Sequence, residues 1–184
     1  ANLFGFLKFY KSVRSKGIKP IAGAEINHVR DSSSHNEHAN LTLIAKNQLG
    51  YKNLIKLISK SQIVGKTSGI PVIETEWLAE HSDGLIALSG GFRGHIGKAV
   101  LDTNHDLFLK RIKYFQKIFK EDFILEISRI NRPQEDIYND YILSKAGELG
   151  LPVVASNEVR FIDKEDYEAH ETRVCIQKGE VLSD

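Results

Sequence analysis

Two carboxylates stand where short apolar runs give out. Glu25 follows Ile21-Ala22-Gly23-Ala24, and Glu158 follows Val153-Val154-Ala155-Ser156-Asn157. A carboxylate at the exit of a parallel strand can bind a metal ion or act as a base. It can equally pair with a nearby guanidinium, here Arg160 or Arg129. Arg129 and Arg132 come just after the run Phe123 to Ile127 and open towards the same region. With Arg160 they form a candidate anion-binding set, because arginine suits bidentate contacts to phosphate. Pairing with Glu126 or Glu158 is the more ordinary use of such residues.

Other possible chemistry is weaker. The chain has seven histidines. His35 and His38 share a polar stretch with Glu37, and His28 precedes it, but no H-E-x-x-H or paired-cysteine spacing is present. Histidines scattered in loops are usually solvated. The glycine-rich stretch Gly90 to Ala99 invites a phosphate-loop reading and fails it. Phe92 stands where a glycine is needed five residues before Gly97, and Ala99 after Lys98 has no hydroxyl for a metal. A tight turn into a helix explains the stretch better. The lone Cys175, between Val174 and Ile176, fits a core position. No Ser-His-Asp or Cys-His arrangement is legible.

The elements that must hold these groups follow from periodicity. Asn2 is expected to cap a helix burying Leu3, Phe6, Leu7, Tyr10 and Val13 and ending at Gly17. Ile18 to Val29 and Leu41 to Ala45 read as strands around a polar loop, residues 30–39. Gly50 to Gln62 reads as a helix with Leu54, Leu57 and Ile58 inside and Lys52, Lys56 and Lys60 outside. A loop from Gly65 to Gly69, a short helix around Trp77 and a strand from Gly84 to Ser89 come next. Phe108, Ile112, Phe115 and Phe119 mark a helix face, with Lys110, Lys113 and Lys117 as its solvated side, and Phe123 to Ile127 a strand. Pro133 suits the first turn of a helix ending at Gly150. Leu151 to Ser156 is the next strand, and Tyr167 to Ile176 the closing helix. This alternation predicts parallel strands joined by crossover helices in an α/β barrel or open sheet.

Composition bounds the possibilities. Of the 184 residues, 41% are apolar and 27% charged, the balance of one globular domain. Lys and Arg number 25 against 24 acidic residues, so no whole-domain field favours a polyanion. That weakens a free-standing nucleic-acid-binding module. A single cysteine suits a reducing compartment, and no apolar run approaches the roughly 20 residues of a membrane span, so a cytoplasmic setting without membrane contact is expected. The absence of any methionine and the abrupt ends suggest a fragment cut at both ends.

Four segments resemble a known family. They are Asn2-Leu3-Phe4-Gly5 with Phe9-Tyr10 and Gly17 to Glu25; Gly50-Tyr51-Lys52-Asn53-Leu54 with Leu57-Ile58-Ser59; Gly84 to Gly91; and Gly150 to Phe161 with Asp166 and Ala169-His170. In order and spacing they resemble the PHP (polymerase and histidinol phosphatase) domain of bacterial DNA polymerase III alpha subunits, over nearly the whole chain. The resemblance implies a distorted (β/α)7 barrel, here lacking its first strands, as one partial domain over residues 1–184. Metal ligands of the family, for zinc or manganese where the site is active, ring the strand ends. Glu25 corresponds to a carboxylate ligand, with His38 and Glu158 as vestigial candidates. Asn40 stands where histidine is common, Gly91 where cysteine is usual, and Glu158 and Arg160 where an Asp-x-His pair closes the site. Arginine cannot ligate a cation.

These departures imply the inactivated form of the domain, with no metal bound. That form supports the polymerase and docks the proofreading exonuclease subunit among the other holoenzyme subunits. The parent would be a DNA-directed DNA polymerase, a nucleotidyltransferase using magnesium in a palm domain outside this segment and meeting DNA there. The rival is a metal-dependent phosphoesterase or 3′→5′ exonuclease using Glu25, His38 and Glu158. Loss of barrel strands should leave an edge and apolar surface open, favouring self-association or reduced stability.

Overall fold

A computed structural model describes residues 1–30, 38–67 and 69–182. His35 and Glu37 lie outside the described residues. In chain order come α1 (Phe6–Ser15), β1 (Gly23–Val29), β2 (Ala39–Ala45), α2 (Gln48–Ile63), β3 (Lys66–Thr67), β4 (Ile70–Pro71), β5 (Ile73–Glu74), α3 (Thr75–Glu80) and β6 (Leu85–Leu88). Then follow α4 (His95–Leu101), α5 (His105–Phe119), β7 (Phe123–Ile127), α6 (Glu135–Leu149), β8 (Val153–Ala155) and α7 (Tyr167–Lys178). Six strands form one sheet in the order β5-β1-β2-β6-β7-β8, and β3 pairs with β4 in a separate hairpin. Among the described residues the sheet is not closed, with β5 and β8 at its edges.

The core lies between this sheet and helices α2, α5 and α6, with Leu78 of α3 and Ile96, Ala99 and Val100 of α4 completing it. Leu54, Leu57 and Ile58 of α2, Phe108, Ile112, Phe115 and Phe119 of α5, and Tyr138, Ile142 and Ala146 of α6 pack over Ile26, Leu41, Leu43, Leu85, Ala87, Phe123 and Leu125 of the strands. The rings of Phe115 and Phe123 stack with centroids 5.2 Å apart. Helices α2 and α5 each start on an asparagine cap. Asn47 accepts from the Gly50 amide and Asn104 from the Leu107 amide, each at 3.0 Å. The period of two in β2 turns Leu41 and Leu43 into the core and Asn40 and Thr42 to the opposite face.

Several expectations need correcting. β2 runs antiparallel to both β1 and β6, while β6-β7-β8 and β1-β5 are parallel. Nine residues separate β1 from β2, too few for the crossover of about a dozen that a parallel pair requires. The first helix begins after Gly5 and buries none of its residues, Leu7 being 67% exposed. Its apolar stripe faces α2 across an open groove, with the rings of Phe6 and Tyr51 5.5 Å apart. The strand expected from Ile18 starts at Gly23, and the loop expected after Gly65 contains the β3–β4 hairpin. Pro133 precedes α6 instead of opening it, because Gln134 interposes a left-handed residue at φ 64°. Cys175 is half-buried on a helix with no buried residues, so it is not core.

Candidate functional site

The carboxyl ends of β6, β7 and β8 and the outward face of β1 and β2 enclose a cleft of about 290 Å³. Glu25, Asn40 and Thr42 form one wall, and Arg93, Arg132, Glu158 and Arg160 the other. Glu25 is not at a strand exit: it lies within β1, inside the strand expected over Ile18 to Val29, opposite Thr42. There its carboxylate accepts from the Asn40 side chain at 3.0 Å, a diagonal cross-strand contact.

The opposite wall is an ion cluster centred on Glu158. Arg132 holds it in a two-pronged pair, Nη1 to Oε1 at 3.1 Å and Nη2 to Oε2 at 2.6 Å. Arg160 donates to Oε2 at 3.2 Å, and Arg93 lies 3.8 Å from the same oxygen. Arg132 first, then Arg160 and Arg93, draw the Glu158 carboxyl below the usual carboxylate range against the opposing effect of partial burial. Three segments thus converge on one carboxylate: the turn after β6, the loop after β7 and the segment after β8. Among the described residues Glu158 is the only carboxylate paired with these arginines.

Local structure places each member. The glycine-rich stretch bends tightly, with φ 78° at Gly90, where a β-carbon would lie 2.0 Å from the Asn40 carbonyl. Close packing explains Gly90, Gly94 and Gly97, and the turn delivers Arg93. The loop carrying Arg132 is held by Glu135, whose carboxylate accepts from the Ser128 hydroxyl at 2.9 Å and the Ile130 and Asn131 amides at 2.8 and 3.0 Å. Burial pushes the Glu135 carboxyl up, but these donors together bring it below its ordinary value. Asn139 adds a bond to the Ser128 carbonyl at 2.7 Å.

Of the predicted site residues, the fold brings Glu25, Glu158, Arg132 and Arg160 to one cleft. His38 and Arg129 do not line it; Lys98 donates to the His38 carbonyl at 2.7 Å. Arg93 and Glu135 were missed. Arg93 lies in a stretch whose glycines signal a tight turn and say nothing of its side chain, while an acidic residue in a helix's first turn is a usable signal for Glu135.

Among the described residues no group of three His, Cys, Asp or Glu side chains is placed to hold a metal ion. Both oxygens of Glu158 are engaged by guanidinium groups, so a cation there would face three positive charges. The donor set does not fit a metal. Two further histidines are buried away from the cleft. His95 donates from Nε2 to the His28 carbonyl at 3.0 Å, and their rings meet edge to face at 5.1 Å. No described helix is long and apolar enough to cross a membrane.

An α/β sheet with a polar cleft at its strand ends is what the PHP domain family would present, and the family model of the PHP domain matches residues 1–130. The chain belongs to the PHP domain family. Along its whole length it is similar to DNA polymerase III subunit alpha, with 44% identity to the protein of Vibrio cholerae, 42% to that of Escherichia coli and 41% to that of Haemophilus influenzae. The chain spans 16% of the length of each of these relatives.

Proposed function

We propose that this chain is the PHP segment of a DNA polymerase III alpha subunit, the cytoplasmic DNA-directed DNA polymerase of replication. In that protein it is a structural domain, not a catalytic one. It supports the polymerase and carries a docking surface for the proofreading exonuclease subunit. The whole-chain similarity to alpha subunits supports membership of the holoenzyme, and the docking role rests on the family resemblance. The observation that carries the non-catalytic reading is the pairing of Glu158 with Arg132 and Arg160. It places fixed positive charge where a catalytic cation would need anionic donors.

Elemental analysis of the untagged chain and of the full-length alpha subunit tests this, together with hydrolysis of a 3′-terminal nucleotide or a phosphate monoester. The expected result is no stoichiometric zinc or manganese and no hydrolysis in either, with capture of the purified exonuclease subunit by the full-length protein. Stoichiometric metal with hydrolysis lost in Glu25→Ala would overturn the reading in favour of a phosphoesterase.

A further inference from the structure

Three arginines from three separate segments line one cleft, and a single carboxylate of the same chain lies within ion-pair distance of all three. This is the donor arrangement with which proteins hold tetrahedral oxyanions: a forked guanidinium contact flanked by two further cations. The carboxylate comes from a segment without regular structure, three residues beyond β8, and is one-quarter exposed. Its hold depends on side chains alone, so an anion reaching the cleft from solvent competes for the same donors. The loop beneath Arg132 is pinned by Glu135 and Asn139, which fixes the backbone from which that guanidinium extends independently of Glu158. Glu25 and Glu126 also line the cleft, so its net charge is near neutral while Glu158 is ionised and turns positive once that charge is removed.

We propose that Arg93, Arg132 and Arg160 form a binding site for a phosphate-type oxyanion, and that Glu158 fills this site from within as a displaceable internal anion. The cleft is therefore a masked anion site whose affinity is set by competition with its own carboxylate. This stands apart from the scaffold reading, since no metal or hydrolysis enters it.

The test is a nuclear magnetic resonance titration of the 184-residue chain with inorganic phosphate at constant ionic strength, following the arginine side-chain N–H signals. Glu158→Gln keeps the shape and removes the charge, and should bind phosphate at least about tenfold more tightly than the unaltered chain. Adding Arg132→Ala to that variant should abolish the gain. In the unaltered chain, which requires no variant to fold, the Glu158 carboxyl carbon signal should shift with phosphate and not with chloride. A 5′-phosphorylated oligodeoxynucleotide compared with its unphosphorylated form separates the two sources: preference for the phosphorylated strand marks a nucleic-acid end, and equal strength from inorganic phosphate marks a small free anion. Equal phosphate affinity in Glu158→Gln and the unaltered chain, or a gain that survives Arg132→Ala, would overturn the proposal.

Discussion

Gly50, in the first turn of α2, rests against the backbone of Gly84 so closely that a β-carbon on Gly50 would lie 1.8 Å from the Gly84 carbonyl oxygen. The neighbour is main chain and cannot rotate aside. Gly84 itself has φ 74°, so its own position is not freely adjustable. This contact sets how α2 descends onto the sheet.

Gly50→Ala is therefore expected to lose about 2–3 kcal/mol of stability through overpacking, despite alanine's better helix propensity. Urea unfolding checks it. An unchanged midpoint would mean that the helix can lift off the Gly84 turn.

Asn104 caps α5, the helix that supplies four buried aromatic and aliphatic side chains. Asn104→Ala should cost about 1 kcal/mol by stranding the Leu107 amide. Asn104→Gly should recover most of that loss, which separates a capping effect from a packing one.

The two buried histidines predict a pH dependence. Burial lowers the pKa of both, and brings His95 from the ordinary 6.5 to about 4. Between those values the unfolded chain takes up a proton that the folded chain refuses, so stability should fall as pH drops from 6.5 towards 4. His95→Gln should flatten the slope in that window, measured by denaturant unfolding across pH. A slope unchanged in this variant would place the acid sensitivity elsewhere.

Glu158 acts in a lower window. Its folded pKa is depressed, so the stability it contributes is present above the ordinary glutamate value and lost as pH falls through the folded one. Arg132→Ala should remove much of that dependence along with its main cause. Because the pair is partly exposed, added salt should weaken it in the original chain more than in the variant.

Exposed apolar side chains bear on the behaviour of the isolated chain. Phe4 and Ile162 are over nine-tenths exposed, and Leu3, Phe4, Leu7, Tyr51, Ile55 and Ile63 line an apolar groove between α1 and α2. Light scattering of the 184-residue chain is expected to show concentration-dependent self-association. A monodisperse monomer with a cooperative, high-temperature melt would contradict this.

Much of this architecture is legible in the residues themselves where the signal is local. The spacing of Phe108, Ile112, Phe115 and Phe119 locates α5 because a helix face repeats within its own chain. The run Phe123 to Ile127 coincides with β7 for a similar reason. The direction of β2 is not legible from its own residues, since Leu41 and Leu43 point inward whichever way the partner runs. Nor is the burial of α1: its apolar stripe is real, but a stripe is buried only where another element meets it. In the cleft, Glu25 and Glu158 were found by position along the chain, whereas Arg93 became visible only once the fold brought its turn beside Glu158. Contacts between segments 26 and 65 residues apart leave no local trace.

The antiparallel β2 also bears on the order in which the molecule is built. Partners in the β1–β2 pair are at most 21 residues apart, against 28 for β7–β8 and 36 for β6–β7. Shorter loops close at lower entropic cost, so the hairpin can form before the crossovers do. The wall bearing Glu25 and Asn40 would then exist as a template, and the three arginines would gather round Glu158 only in the last steps of folding.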